Sequence, residues 1–238
     1  MDTKLTGKTR IESDLIGARE IPAEALYGVQ TLRGIENFSI SKFRLSEYPL
    51  FIKGLAITKM AAAMANFELG LLTVEQKDAI IAACGEILDG KHHDQFPVDM
   101  IQGGAGTTTN MNANEVIANR ALELMGHERG EYQYCSPNDH VNCSQSTNDA
   151  YPTAIHIGMY FKHLQLLPHL EELIASFRKK GEEFSQIIKM GRTQLEDAVP
   201  MTLGQTFNGF ASILQAHHAF TYSSNAWGTV SSVDHSWL

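Results

Sequence analysis

The sequence predicts a mainly α-helical fold, in which an N-terminal helical domain is followed by the first long helices of a central helical bundle. Three observations support this prediction. Several stretches are rich in Ala, Leu, Met and other good helix formers, with apolar residues three or four positions apart. The ends of these stretches contain residues typical of helix caps. No stretch of any length alternates apolar and polar residues as a half-buried strand does.

The first predicted helices follow an irregular start. Residues 1–50 are interrupted by Pro and Gly and are expected to be irregular. A helix is predicted over residues 53–69, "KGLAITKMAAAMANFEL", because its residues are good helix formers. The next helix lies in "TVEQKDAIIAACGEILDG", where Thr73 and Gln76 have the spacing of a capping box. Gly90 stands where a glycine ends many helices.

Further helices are predicted in the rest of the chain. Residues 91–109 are expected to form a loop, and residues 110–126, "NMNANEVIANRALELMG", a helix ended by its glycine. A long helical pattern runs over residues 153–184, and Pro168 is expected to kink it or split it in two. A last helical pattern begins near Gln205.

These patterns suggest a division into an N-terminal domain (1–141), the start of a helical-bundle domain (142–218) and an atypical tail (219–238). No Lys or Arg follows Arg192, and both tryptophans fall in the last twelve residues. The tail has two interpretations. It is either a natural flexible tail or the foreign or frameshifted end of a chain that stops early.

The composition excludes several classes of protein. The net charge is −8, and no run of Lys and Arg interleaves with aromatic residues, which argues against a nucleic-acid partner. The N-terminus lacks the apolar run of a secretory signal, and no segment is expected to reach the roughly 20 apolar residues of a membrane span. Three cysteines at unrelated spacings suggest reduced thiols. We therefore expect a cytoplasmic globular protein without a membrane partner.

The first of three polar clusters is "QGGAGTTTNMNANE", residues 102–115. Its glycines allow a tight turn, and the hydroxyls and amides that follow stand at a helix start, which is a suitable site for an anion. No Lys follows the glycines, so the cluster is not a P-loop. A glycine turn with a helix cap would explain the glycines, but not the three consecutive threonines.

The second cluster is "SPNDHVNCSQSTNDAYP", residues 136–152, and it has three interpretations. A nucleophilic serine would need His140 and Asp139 beside it, but neighbours in sequence rarely form such a triad. A zinc site of Cys135, His140 and Cys143 lacks a fourth ligand at a workable spacing. The third interpretation, which we favour, is an anion site. Its donors are the side chains of Ser146, Thr147 and Asn148, just before the long helix.

The third cluster is "GRTQLEDAVPMTLGQ", residues 191–205. Its glycines and Pro200 interrupt the helical pattern. Arg192, Thr193 and Gln194 are therefore expected on a loop between helices. A plain helix–helix connection with a capping threonine would explain this cluster equally well.

Taken together, the three clusters resemble the fumarase/aspartase superfamily. The resemblance covers nearly all of residues 12–207, and its most specific stretches are "GGAGTTTNMNANEVIANRALELMG", "GEYQYCSPNDHVN", "SQSTNDAYPT" and "GRTQLEDAVPMTLGQ". The "GGAGT" and "GEYQY" motifs are similar to the aspartase branch, since fumarases usually have "TGSGT" at the first position. Gln194 also suits aspartases, because fumarases place a histidine there, although some aspartases share that histidine.

The resemblance implies a reversible elimination of ammonia from L-aspartate to give fumarate, without an organic cofactor. No residue of the sequence is assigned as a metal ligand. It also implies roles for individual residues. The implied substrate-binding residues are Thr107, Ser146, Thr147, Asn148, Thr193 and Gln194. Asn138, Asp139 and His140 match a secondary anion site of fumarases, whose meaning in this chain is open.

The chemistry explains why neutral donors are needed. Removing a proton from the carbon next to the β-carboxylate creates an aci-carboxylate with a doubled negative charge. One preorganised donor contributes about 3–4 kcal/mol in comparable oxyanion sites. Neutral donors also avoid holding the product too tightly.

The base itself is not assigned to any residue of this chain. In the family it is a serine on a mobile Gly-Ser-Ser loop followed by a Met-Pro-x-Lys-x-Asn run, and no such run occurs in these 238 residues. The family also builds each site from three subunits of a homotetramer. We therefore expect the chain to be inactive alone. The alternatives are a class II fumarate hydratase and a non-catalytic, truncated helical fragment.

Overall fold

The computed structural model describes residues 7–223, with side chains described up to residue 218. The predicted tail, 219–238, thus lies outside the described residues except for the main chain of its first five. The helices are α1 Val29–Asn37, α2 Pro49–Glu68, α3 Val74–Leu88, α4 Thr107–Leu124, α5 Thr147–Glu183 and α6 Leu203–Ser223. The strands are β1 Thr9–Asp14, β2 Gly17–Pro22, β3 Ile188–Thr193 and β4 Glu196–Thr202. The mainly helical fold class is confirmed.

Shorter elements connect the helices. Two 3₁₀ turns span Leu45–Glu47 and His93–Gln95, and a π-helical turn spans Pro137–Val141. The chain divides into two compact units between Met159 and Tyr160, inside α5. The predicted boundary at residues 141 and 142 remains a prediction.

The two hairpins consist of strands that no alternation of apolar and polar residues in the sequence indicated. β1 pairs antiparallel with β2 from Thr9 opposite Pro22 to Asp14 opposite Gly17. Each strand has six residues, and the buried position of β1 is the charged Glu12. An apolar alternation is therefore missing from the sequence, although the backbone pairing is regular.

Helix α1 also lies in the stretch that was expected to be irregular. Its N-cap, Gly28, has no side chain to accept a hydrogen bond. Instead, the buried carboxylate of Glu115, on α4, accepts from the backbone nitrogens of Gly28, Gln30 and Thr31 at 2.8–3.0 Å. The backbone N–H groups at the start of α1 thus find their acceptor in a residue distant in sequence.

The predicted caps of α3 are confirmed. Thr73 Oγ1 accepts from Gln76 N at 3.1 Å, and Gln76 Oε1 accepts from Thr73 N at 3.1 Å. At the other end, Gly90 has a φ of 90°, and its N–H donates to Ile87 O at 3.0 Å. This is the left-handed glycine ending that the sequence indicated.

The core of the first unit lies between α2, α3 and α4. Fully buried side chains from these helices include Ile52, Leu55, Ile80, Ile87, Ile117 and Leu122. Each such side chain contributes roughly 1.5–3 kcal/mol by leaving water. Helix α2 is the one helix of the described residues that is long and apolar enough to cross a membrane by length and composition. Its packing against α3 is that of a core helix.

The second unit contains the later part of α5, the β3–β4 hairpin and α6. Sequence analysis expected Pro168 to kink or split this helix. Helix α5 continues through Pro168 to Glu183, so the split was wrong, while the kink remains a prediction. The third polar cluster is also not a loop between helices, since Arg192 and Thr193 belong to β3. Pro200 pairs with Met190 across this hairpin. Ring contacts among Phe177, Phe184, Phe207 and Phe210 join α5 to α6.

Candidate substrate-binding site

The glycine turn before α4 has an unusual backbone. Gly104, Ala105 and Gly106 have φ values of 72°, 49° and 90°, all in the left-handed region. A Cβ on Gly106 would overlap the ring of Tyr151, so this position needs a glycine for space as well as for conformation. The turn therefore brings its backbone close to α5.

The turn fixes the direction of one threonine hydroxyl. Thr107 Oγ1 lies 2.5 Å from Gly104 O, and a carbonyl oxygen can only accept. The hydroxyl hydrogen of Thr107 is therefore used inside the turn. Thr107 is exposed, and its oxygen keeps lone pairs that can accept a hydrogen bond.

Helix α5 begins with a reciprocal cap. Ser146 Oγ accepts from Asn148 N at 3.1 Å, while Ser146 N donates to Asp149 Oδ2 at 3.3 Å. The oxygen of Ser146 thus stabilises the helix start and leaves its hydroxyl hydrogen free to donate. Asn148 is exposed beside it.

The two helix starts meet at an open cleft of about 400 Å³ in the first unit. Its lining residues are Met100, Gln102, Ala105, Gly106, Asn148, Tyr151 and Pro152. Gln102 fastens the rim to α4, since it accepts from Thr109 N and donates to Thr109 Oγ1, both at 2.8 Å. The N-terminal ends of α4 and α5 carry partial positive charge, which favours a carboxylate at this place.

A buried layer behind α5 was missed by the sequence analysis. Lys59 on α2 is fully buried, and its Nζ donates to Asn142 Oδ1 at 2.8 Å and to Gln145 Oε1 at 3.0 Å. Asn110 on α4 donates from Nδ2 to Asn142 Oδ1 at 3.1 Å and to Thr147 Oγ1 at 3.2 Å. The only signal in the sequence was a lysine inside the apolar stretch "AITKMAAAMAN".

Burial changes the titration of this lysine. Removal from water lowers the pKa of Lys59 to about 7, and the neighbouring Cys84 offsets this only in part. Among the described residues its two hydrogen-bond acceptors are neutral amides, so no carboxylate compensates the charge. Burial likewise raises the pKa of the Cys84 thiol to about 12.

The proposed secondary anion residues lie on the π-helical turn. Asn138 and Asp139 are exposed, and His140 is half-buried. Ser136 N donates to His140 Nδ1 at 2.7 Å, which requires an unprotonated Nδ1. Burial also lowers the pKa of His140. Anion binding at this turn would therefore depend on backbone and amide donors more than on a charged imidazole.

The other interpretations of the second cluster gain no geometric support. Cys143 Sγ lies 3.7 Å from Ser144 Oγ, while His140 contacts Ser136 and Gln76. Burial raises the pKa of the Cys135 thiol to about 12. Within the described part of the chain, no group of three or more His, Cys, Asp or Glu side chains is arranged to hold a metal ion.

Thr193 and Gln194 lie in the second unit. Gln194 and Leu195 form the two-residue turn of the β3–β4 hairpin, and both have positive φ values, 51° and 69°. Such values are typical of tight hairpin turns. Thr193 and Gln194 are exposed, and the neighbouring Arg192 pairs with Asp197 at 3.2 Å. The structure thus places these two predicted residues at a hairpin tip, apart in sequence and unit from Thr107 and Thr147.

Comparison with known proteins supports the resemblance. The aspartate ammonia-lyase of Pseudomonas canavaninivorans is 60% identical over 205 residues, which cover 86% of this chain and 43% of the relative. That of Escherichia coli (strain K12) is 57% identical over 212 residues, or 89% of this chain and 44% of the relative. The chain thus spans less than half the length of the curated relatives it matches.

Solved structures of related enzymes also match this chain. A fumarate lyase:delta crystallin from Brucella melitensis, bound to cobalt, matches with a TM-score of 0.86 and 52% identity over 92% of this chain and 48% of that one. A class II fumarase from Schistosoma mansoni matches with a TM-score of 0.80 and 39% identity over 89% of this chain and 44% of that one. A family model described as "Lyase" matches residues 17–226. The chain therefore belongs to the lyase family and is a homologue of the aspartate ammonia-lyases.

Proposed function

We propose that this chain supplies substrate-binding residues of an aspartate ammonia-lyase site, which converts L-aspartate reversibly to fumarate and ammonia. Identities of 57–60% to aspartate ammonia-lyases, against 39% to the class II fumarase, favour this assignment over fumarate hydratase. The proposed substrate contacts in the first unit are Thr107, Ser146, Thr147 and Asn148. Thr193 and Gln194 are proposed contacts on the resemblance alone.

The observation that supports this proposal best is the opposite polarity of two hydroxyls. Thr107 gives its hydrogen to Gly104 O and so presents an acceptor. Thr147 accepts from Asn110 and so retains a hydrogen to donate. Asn110 lies one turn after Thr107 on α4, so the two helix starts are directly joined. An acceptor suits the ammonium group of aspartate, and a donor suits its carboxylate.

The proposed step uses these groups in sequence. A base removes the proton from the carbon next to the β-carboxylate, and the electron pair of the C–H bond moves into that carboxylate. The resulting aci-carboxylate is stabilised by donors from Ser146, Thr147 and Asn148. The electron pair then returns to form the carbon–carbon double bond as the C–N bond breaks, and ammonia leaves on the side of Thr107.

The base, the assembly and the location belong to the same proposal. We assign no base to this chain, because the family's serine-loop motif does not occur in its sequence. The isolated chain is thus expected to bind ligand without turning it over. We propose a cytoplasmic homotetramer for the intact enzyme, acting without an organic cofactor.

The proposal is tested by following the backbone amides of Gly106 and Asn148 by NMR while L-aspartate, fumarate or L-malate is added. We expect aspartate and fumarate to shift both resonances. The Thr107→Val variant should weaken the binding of aspartate more than the binding of fumarate, since fumarate has no amino group. Thr58→Val is a matched control, because that hydroxyl bonds Gly54 O within α2.

Two outcomes would contradict the proposal. Shifts caused by malate but not by aspartate would favour a fumarate hydratase. No shift with any of the three ligands would support a non-catalytic fragment. Turnover is checked separately by the ultraviolet absorbance of fumarate formed from aspartate, and fumarate production by the isolated chain would show that it contains its own base.

A further inference from the structure

Four polar side chains form a continuous hydrogen-bonded series inside the first unit, from Lys59 through Asn142 and Asn110 to Thr147. We call it the buried amide series. The residues come from α2, the loop before α5, α4 and the first turn of α5. Lys59 is fully buried and Asn110 is 1% exposed. Polar groups this deeply buried are costly unless they are hydrogen-bonded, so their arrangement needs a reason.

The orientation of each side-chain amide in the series follows from Lys59, at its first end. A lysine Nζ has hydrogens to give and, when charged, no lone pair to accept with. Asn142 must therefore turn its oxygen toward Lys59, and its Nδ2 indeed donates to Gln145 O at 2.9 Å. Because Asn142 Oδ1 faces inward as an acceptor, Asn110 must present its Nδ2 to it.

The same Nδ2 group then determines whether the Thr147 hydroxyl accepts or donates in this hydrogen bond. Nδ2 of Asn110 lies 3.2 Å from Thr147 Oγ1. Since an amide nitrogen cannot accept, the threonine oxygen must accept this bond. The Thr147 hydroxyl hydrogen has no acceptor among the described residues. Thr147 is partly exposed and directly precedes Asn148, which lines the cleft, although Thr147 itself is not a lining residue.

We propose that Asn110, oriented by Lys59 through Asn142, is a positioning residue that holds the Thr147 hydroxyl as a hydrogen-bond donor for a carboxylate bound at the start of α5. The identity of that carboxylate rests on the proposed function. The hydrogen-bond arrangement itself does not.

This arrangement has a physical advantage over a free hydroxyl. A threonine at the first turn of a helix can otherwise rotate its hydroxyl toward any nearby acceptor, and that freedom must be lost when ligand binds. A donor already oriented before binding costs no reorganisation in the site. The lysine contributes direction without placing its charge in contact with Thr147, since two amides separate them.

The experiment has one arm that needs no ligand. The side-chain NH₂ resonances of Asn110 are assigned from their loss in the Asn110→Leu variant, using the full chain. They are expected to shift in Thr147→Val and again in Lys59→Met. Asn112→Leu is the matched control, because Asn112 is a buried neighbour on α4 that donates to Gln95 O instead. It should leave the Asn110 resonances in place.

The second arm measures fumarate affinity. Asn110→Leu is expected to weaken binding about fivefold, the usual effect of one hydrogen bond. In a Thr147→Val background it should cause no further loss, because Asn110 acts through that hydroxyl. A purely structural role for Asn110 would lower affinity equally in both backgrounds.

The outcomes separate this inference from the proposed function. The positioning role would be overturned if the Asn110 resonances did not shift in Thr147→Val. It would also be overturned if the losses of fumarate affinity from the two substitutions multiplied in the double variant. Resonances that respond as expected in a chain that binds neither fumarate nor aspartate would uphold the positioning role and refute the proposed function. If Asn110→Leu fails to fold, the Asn110 side-chain resonances are assigned by their connectivity to the Asn110 backbone in wild type. The Thr147→Val measurement, which retains Asn110, then decides the question.

Discussion

Replacing Lys59 by Met should change how the stability of the chain depends on pH. The pKa of Lys59 is lowered from an ordinary value of 10.5 to about 7 in the folded state. Between these values the unfolded chain binds one more proton than the folded chain, so the free energy of unfolding rises as pH increases. Below pH 7 both states are protonated, and the burial penalty is fully present.

The size of the effect follows from the same two values. The limiting slope is about 1.4 kcal/mol per pH unit. Allowing for half-protonation of the folded state at pH 7, the contribution of Lys59 grows by about 2 kcal/mol between pH 7 and 9. The raised pKa of the Cys84 thiol acts with the opposite sign, but mainly above pH 9, where unfolded thiols ionise.

The assay is urea unfolding of wild type and Lys59→Met at several values from pH 7 to 9. We expect the wild-type free energy to rise relative to the variant by about 2 kcal/mol over this window. Lys53→Met is the control, because Lys53 lies on the same helix but is partly exposed, and its curve should run parallel to wild type. Parallel curves for Lys59→Met as well would refute the argument that an uncompensated ammonium is buried there.

Three further changes have defined expectations. Thr73→Ala should lower the free energy of unfolding by about 1 kcal/mol in urea, since it removes the cap of α3; an unchanged midpoint would contradict that role. Gly106→Ala should abolish ligand-induced NMR shifts and lower the melting temperature, because its Cβ would overlap the Tyr151 ring; retained binding would show that the turn can relax. Arg120 holds the pKa of Glu86 at about 2, below its ordinary 4.5, so wild-type stability should fall as pH decreases through this range. Glu86→Gln should flatten that fall in an acid titration followed by circular dichroism, and an equally steep curve would refute the contribution of this pair.

The features that sequence predicted well are those whose cause is local. Helix α3 was predictable because its cap, Thr73, and the answering Gln76 are three residues apart. Helix α1 was missed because its cap is Glu115, which is 87 residues from Gly28. The β3–β4 hairpin was missed because Gly191 and Pro200 resemble interruptions when they are considered singly. In the fold the glycine occupies an irregularity of the strand and Pro200 pairs with Met190.

The residues of the candidate site also fall into two groups, those indicated by local sequence and those whose partners are distant in sequence. Thr107 and Ser146–Asn148 could be proposed from sequence, because hydroxyls and amides stand at helix starts there and the resemblance names the same positions. Lys59 and Asn110 could not, because their partner Asn142 is 83 and 32 residues away. A lysine in an apolar helix and an asparagine among several on α4 each have ordinary structural explanations until the fold brings them together.

The placement of Lys59 is consistent with the demands of the proposed reaction. A lysine in direct contact with a dicarboxylate would stabilise substrate, transition state and product alike, and uniform binding does not accelerate the chemical step. The charge that develops on the aci-carboxylate is instead best met by donors whose direction is already set. Two amides between Lys59 and Thr147 transmit direction, because each bond in the series can form in only one sense. They also keep the lysine itself out of contact with Thr147. In the proposed reaction, Lys59 thus directs the Thr147 hydroxyl through two amides without contacting the ligand itself.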